Sequence, residues 1–205
     1  ALRNYPSICR ANIRRGLATG DDRIGLLGGS FNPAHEGHLH ISHQALKILA
    51  LDCVWWLVSP QNPLKSKEGM TPFEDRLRAA RAIAADRRIR VTDVEDRLGT
   101  RFTVDTITAL TRIFPDKQFV WLMGADNLVQ FPQWLDWRRL FSLVPIAVFD
   151  RAPYSAGALA GQAANVFASG RQANRDARSL ANQVPPAWNF FHTPLHPARA
   201  TDIRV

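Results

Sequence analysis

The sequence predicts an α/β fold built on a parallel sheet, on three observations. Apolar runs of strand length recur along the chain. Between them the apolar positions fall at helical spacing instead of alternating. The first run leads through a long glycine-containing loop into a helix, where a two- to four-residue turn would have been enough to reverse the chain. Strands that alternate with helices form βαβ units, because parallel neighbours need a crossover long enough to hold a helix.

The elements follow in order. Ile24–Leu27 reads as the first strand. Leu39, Ser42, Ala45, Leu46 and Leu49 then share one helical face. The run from Cys53 to Val58 is a second strand, apolar throughout as befits a strand buried on both faces. Phe73, Leu77, Ala80, Ile83 and Ala84 form another helical stripe. Ile89–Val94 is a weaker third strand. Val104, Ile107, Leu110, Ile113 and Phe114 make the third helix. Phe119–Met123 and Ile146–Phe149 are the fourth and fifth strands, and Trp188–His192 a sixth. The segment 152–184, rich in Ala, Ser, Gln and Asn, predicts a surface helix or two with loops, and Thr201–Val205 the start of a last helix.

The chain has 205 residues, enough for one domain with a proper core, and no internal repeat. Residues 1–21 read as a basic N-terminal arm, with Arg3, Arg10, Arg14 and Arg15, and residues 22–205 as a single domain. No apolar run approaches the length of a membrane span, about 20 residues, so no membrane partner is expected. Cys9 and Cys53 form neither a CxxC nor a metal-ligand spacing, which suits a reduced, cytoplasmic setting. The net charge of +8 favours polyanions, either nucleic acid or a small phosphorylated substrate.

The loop after the first strand narrows that choice. It reads GGSFNPAHEGH from Gly28 to His38. Ligands of open α/β sheets sit beyond the C-terminal ends of the strands. A helix N-terminus offers unpaired N–H groups to an anion, glycine permits a close backbone approach, and His35 and His38 add imidazole donors. A lone HxxH is usually a pair of surface histidines, and no third ligand stands at zinc spacing. The full string points to phosphate chemistry.

That string resembles the signature of the HxGH nucleotidyltransferases and, more narrowly, of the bacterial nicotinate-mononucleotide adenylyltransferases. Four further motifs extend the resemblance over residues 22–204: PQNPLK from Pro60 with Glu74 and Arg76; RFTVDT from Arg101; GADNL from Gly124 through FPQW ending at Trp134; and PARATDIR from Pro197. The last departs from the family, which carries two serines where this chain has Arg199 and Ala200.

The resemblance implies a Rossmann-like, doubly wound parallel sheet of the nucleotidyltransferase type. It implies adenylyl transfer from ATP to nicotinate mononucleotide, giving deamido-NAD and pyrophosphate. His35 and His38 would be catalytic. Gly28, Gly29, Ser30, Phe31, Lys65, Gly124, Asp126, Arg199, Thr201 and Arg204 would complete the ATP site. Phe102, Thr103, Trp134 and Arg151 would bind the mononucleotide, Trp134 by stacking on the pyridine and the N–H groups around Phe102 and Thr103 by receiving its carboxylate. Mg²⁺ would be bound mainly through the ATP phosphates, with no dedicated protein ligands. Nucleic acid is not the expected partner, and room is left for a homo-oligomer.

Other readings stay open at this point. Trp134 fits a core aromatic, Asp126 and Thr103 fit helix caps, and Lys65 fits a solvated loop. The alternatives for the whole chain are another HxGH enzyme, acting on nicotinamide mononucleotide or phosphopantetheine, and a non-catalytic relative that binds nucleotide or RNA.

Overall fold

The computed structural model describes residues 11–14, 17, 20–60 and 69–194. Six strands form one parallel sheet: β1 (Arg23–Gly29), β2 (Cys53–Val58), β3 (Ile89–Thr92), β4 (Gln118–Gly124), β5 (Ile146–Phe149) and β6 (Trp188–Phe191). Their order across the sheet is β3-β2-β1-β4-β5-β6, with every neighbouring pair parallel. All the strands therefore end on one edge.

The pleat sorts each strand between two apolar layers. Cys53, Trp55 and Leu57 of β2 join Phe119, Trp121 and Met123 of β4 on one face. Val54, Trp56 and Val58 join Val120 and Leu122 on the other. Helices cover both faces, as a sheet buried on both sides requires. On the second face lie α1 (Glu36–Ile48), with Ala45 and Leu46, and α2 (Phe73–Ile83), with Leu77 and Ala80. On the first lie α3 (Val94–Leu98), α4 (Thr103–Ile113), α5 (Ala125–Gln130), α6 (Trp137–Leu143), α7 (Ser155–Ala160) and α8 (Gln162–Val166). The chain winds outward from β1 to β3, returns through α4, and winds outward again from β4. The crevice between β1 and β4 is thus the topological switch point, where such sheets bind ligands.

Three expectations need correction. The third strand stops at Thr92, because the Thr92 hydroxyl accepts the Val94 N–H and starts α3. The segment 152–184 is not merely a surface element: its short helices bury Ala158, Ala163, Ala164, Ala177, Leu180 and Ala181, so its alanines are contact residues on both faces. The basic arm is not wholly separate, since Ile13 and Leu17 are buried in the core and Arg14 pairs with Asp116 at 3.3 Å. The helix expected from Thr201 lies outside the described residues.

Cys53 is a free, buried thiol, pushed up to about 12 chiefly by burial, as a core cysteine should be. Among the described residues no helix is long and apolar enough to cross a membrane.

Candidate functional site

The loop from β1 to α1 is built around its aromatic rings. Phe31 takes a φ of 46°, a left-handed conformation costing a non-glycine residue roughly 1–2 kcal/mol. Packing holds it there: its ring stacks on Trp56 at 5.0 Å and meets His38 at 4.5 Å, and it is 1% exposed. Trp56 is fixed in turn, its indole N–H donating to the Ser42 hydroxyl at 2.8 Å and that hydroxyl to the His38 carbonyl. The buried polar Ser42 on the α1 stripe is explained by this chain of bonds.

His35 is the N-cap of α1, and its Nδ1 accepts the Gly37 N–H at 3.1 Å. His38 Nδ1 accepts the His35 N–H at 3.2 Å. These reciprocal bonds form a capping box with imidazoles in place of the usual hydroxyl and carboxylate. Because each Nδ1 is an acceptor, each neutral ring carries its proton on Nε2. Two Nε2–H donors, on rings 4.0 Å apart, therefore stand at the N-terminus of a 13-residue helix. Donors and helix dipole both favour an anion there.

Gly28 and Gly124 each also have a packing reason to lack a side chain, whereas Gly29 does not. A Cβ on Gly28 would run into the Trp121 ring of β4, so Gly28 admits a packing partner across the sheet. A Cβ on Gly29 would make an ordinary contact with Phe31. A Cβ on Gly124 would lie 2.5 Å from an Asp126 carboxylate oxygen, so Gly124 leaves room for that side chain.

Arg76 and Asn32 hold the loop floor, and neither was singled out from sequence as a site residue, although both stand in the motifs. Arg76 on α2 is 2% exposed. Its guanidinium donates to the carbonyls of Ser30, Ser59, Pro60 and Thr71, joining the ends of β1 and β2 to the start of α2. Burial lowers its pKa. The Asn32 amide donates to the Gly69 carbonyl at 3.3 Å, and its oxygen accepts the Thr71 N–H at 3.2 Å. The signal for Arg76 was an arginine within the apolar stripe of α2.

At the end of β4, Asp126 does not cap α5, whose N-cap is Gly124 without a side-chain bond. It pairs with Arg151, after β5, at 3.2 Å. The two residues assigned to different substrates thus form one ion pair. Trp134 is half-buried: it packs on Phe131 at 4.9 Å and edge-on to Trp121 at 6.2 Å. It is attached to the core without being sealed in it.

The turn before α4 is the remaining piece. Phe102, not Thr103, is the N-cap of α4, and no side chain caps it. Among the described residues nothing accepts from the N–H groups of Thr103 and Val104 in its first turn. Beneath lies a buried polar group. Glu95 of α3 hydrogen-bonds to Ser59 and receives the Thr106 hydroxyl at 3.5 Å, and Thr106 meets the Thr100 hydroxyl at 2.8 Å. Burial pushes the Glu95 carboxyl up to about 7. Sequence reading missed Glu95, because nothing in its local pattern separates a buried glutamate from a solvated one.

The C-terminal edge thus gathers His35, His38, Ser30 and Phe31 with Gly124, Asp126, Arg151, Trp134, Phe102 and Thr103. Lys65, Arg199, Thr201 and Arg204 lie outside the described residues. Among the described residues no three His, Cys, Asp or Glu side chains gather closely enough to hold a metal ion.

Comparison with known proteins gives a consistent answer. The cytidylyltransferase-like family model matches residues 26–204. A protein of Parvibaculum lavamentivorans described as a probable nicotinate-nucleotide adenylyltransferase is 52% identical over 191 residues, covering 93% of this chain and 95% of its own. One of Gluconobacter oxydans with the same description is 52% identical over 182 residues, covering 89% and 93%. Among solved structures, the nicotinic acid mononucleotide adenylyltransferase of Plasmodium falciparum complexed with NaAD superposes with a TM-score of 0.62 at 16% identity, covering 84% of this chain and 76% of the other. At that identity the likeness speaks for the fold.

Proposed function

The chain belongs to the cytidylyltransferase-like family, and from that premise we propose that it is a nicotinate-nucleotide adenylyltransferase of the cytoplasm, making deamido-NAD and pyrophosphate from ATP and nicotinate mononucleotide. The observation that carries this reading is identity of about half, over nearly the full length of both chains, to relatives described by that activity. The geometry supports it with a helix start suited to a phosphate, a half-buried tryptophan and an uncapped turn at one sheet edge.

The reaction is in-line. An oxygen of the mononucleotide's 5′-phosphate attacks the α-phosphorus of ATP, and the bond from that phosphorus to the bridging oxygen breaks to release pyrophosphate. The nucleophile is already ionised near neutrality, so no general base is needed. Catalysis is positioning and stabilisation of charge on the transferring phosphoryl group. The Nε2–H groups of His35 and His38 serve as donors to the phosphate oxygens, with their rings held in orientation by the capping-box bonds.

ATP would arrive as its Mg²⁺ complex. The residues at this edge fit that arrangement: they are mainly N–H donors, and the Asp126 carboxylate is engaged by Arg151. The metal would be held by phosphates and water, and would supply charge neutralisation on the polyphosphate.

Trp134 offers its exposed face to the pyridine ring. The N–H groups at the start of α4 suit a carboxylate better than an amide, because charge-assisted hydrogen bonds are the stronger ones. Asp126 would face the adenosine ribose while orienting Arg151.

The test is pyrophosphate release from ATP in the presence of nicotinate mononucleotide, nicotinamide mononucleotide or phosphopantetheine. Turnover with the first, strongly preferred over the second and absent with the third, is expected. Equal turnover of acid and amide overturns the carboxylate pocket, and no turnover by the folded protein overturns the enzyme reading.

A further inference from the structure

We propose that Glu95 is a positioning residue for the mononucleotide's carboxylate, holding the turn that receives it in register with the phosphate-binding loop. The inference deepens the adenylyltransferase reading and rests on it.

The argument is geometric. Glu95 is 7% exposed and lies between two parts of the site. On one side it bonds to Ser59, the residue just after β2. The Ser59 N–H donates to the Gly29 carbonyl at 2.9 Å, and the Ser59 carbonyl accepts from Arg76 at 2.8 Å, so Ser59 belongs to the floor of the phosphate loop. On the other side the Glu95 carboxyl accepts the Thr106 hydroxyl. Thr106 is fully buried in the first turn of α4; its N–H donates to the Phe102 carbonyl at 3.1 Å, and that carbonyl, 3.3 Å from the Thr106 hydroxyl, shares the hydroxyl's single proton with Glu95. The Glu95 carbonyl also accepts the Thr100 N–H at 3.0 Å. One residue therefore ties the 100–103 turn, by backbone and side chain, to the ends of β1 and β2.

The charge state of Glu95 bears on the ligand's own carboxylate. Near it in the chain, Asp93 precedes α3, Asp96 and Arg97 lie on α3, Arg101 in the turn and Asp105 on α4, and Arg76 donates to the carbonyl of its partner Ser59. None of these sets its titration, which follows burial first and then the hydroxyls of Ser59 and Thr106. Below neutrality Glu95 is uncharged and leaves the α4 N-terminus electropositive. Above it, a buried negative charge sits behind the N–H groups that must receive another. Affinity for nicotinate mononucleotide should therefore weaken as pH rises through about 7, while affinity for nicotinamide mononucleotide, whose carboxamide carries no charge, should not.

The experiment is steady-state kinetics of Glu95→Ala, Glu95→Gln and wild type with both mononucleotides, from pH 6 to 8.5. Glu95→Ala is expected to raise KM for nicotinate mononucleotide by about 10-fold, narrow the acid-over-amide preference and leave KM for ATP within about twofold. Glu95→Gln keeps both hydrogen bonds without the charge. It should hold a near wild-type KM at pH 6.5 and abolish the rise in KM at high pH. If Glu95→Ala does not fold, Thr106→Val, which removes the hydroxyl alone, carries the same expectation for KM and the acid-to-amide ratio. An unchanged KM and ratio in the folded variants, or a Glu95→Gln pH profile identical to wild type, overturns the inference. Wild type that fails to adenylate nicotinate mononucleotide overturns the parent reading, and this inference with it.

Discussion

His38 sits where two bonding patterns meet: its Nδ1 closes the α1 cap, which puts the proton of the neutral ring on Nε2 as a donor. Under the proposed mechanism that donor strengthens its bond as charge shifts on the α-phosphate. His38→Ala should therefore lower kcat by about 10²–10³ while changing ATP binding much less, since donors aimed at developing charge are worth that much. Wild-type kcat in the variant would reduce the histidine to a cap. Trp134 should behave differently. Trp134→Ala should raise KM for the mononucleotide and leave KM for ATP nearly unchanged, on the scale of about 1–3 kcal/mol for aromatic stacking on a base. Because the ring is only half-buried, the thermal midpoint should fall less than for a sealed core tryptophan such as Trp55. At this scale the histidines were legible because their spacing and their glycines are local. The reason for Gly28 was not: its partner, Trp121, comes from another strand, and no local pattern announces it.

At the scale of elements, the strands were the most legible part, because a strand buried on both faces writes itself as an unbroken apolar run. β2 appears at its expected bounds. The small helices α5 and α6 and the turns of segment 152–184 were not read in detail, since helices of one or two turns show too few periods to stand out. What binds the elements at the C-terminal edge of the sheet is Arg76, whose four carbonyl partners come from the ends of β1 and β2 and from the approach to α2. Arg76→Lys cannot reproduce that set, because a single ammonium lacks the planar fork that reaches several acceptors at once. The substitution should destabilise the fold by about 1–3 kcal/mol, the cost of leaving buried carbonyls unpaired. It should also raise KM for ATP, because the Ser30 backbone is no longer held. Thermal unfolding and ATP kinetics on one preparation check both, and an unchanged KM with a lowered midpoint would confine Arg76 to stability.

For the whole molecule, the parallel sheet with its switch point between β1 and β4 explains why residues from motifs far apart in sequence share one edge. The same edge stores an ionisable group away from water, and this has a consequence for global stability. The folded chain raises the Glu95 carboxyl from the ordinary 4.5 to about 7, through burial. Between those values the folded state holds a proton that the unfolded chain has released. Stability from this group is therefore fully present below pH 4.5, declines as pH rises, and is lost above about 7. Asp86 acts in the opposite sense: hydrogen bonds from Arg88 hold it near 2, so its contribution is present above 3.8 and lost only in strong acid. Between pH 5 and 8 the Glu95 slope stands without opposition from Asp86. Its full size is roughly 3 kcal/mol if the whole shift is expressed, which for a chain of this length is several degrees of thermal midpoint. Glu95→Gln should flatten the fall in midpoint across that window and stand above wild type at pH 8, because a neutral amide meets the same hydroxyls without a charge to bury. Parallel midpoint-against-pH curves for the two proteins would show instead that the carboxyl is solvated in the native state, and would remove the electrostatic part of its proposed role at the carboxylate turn.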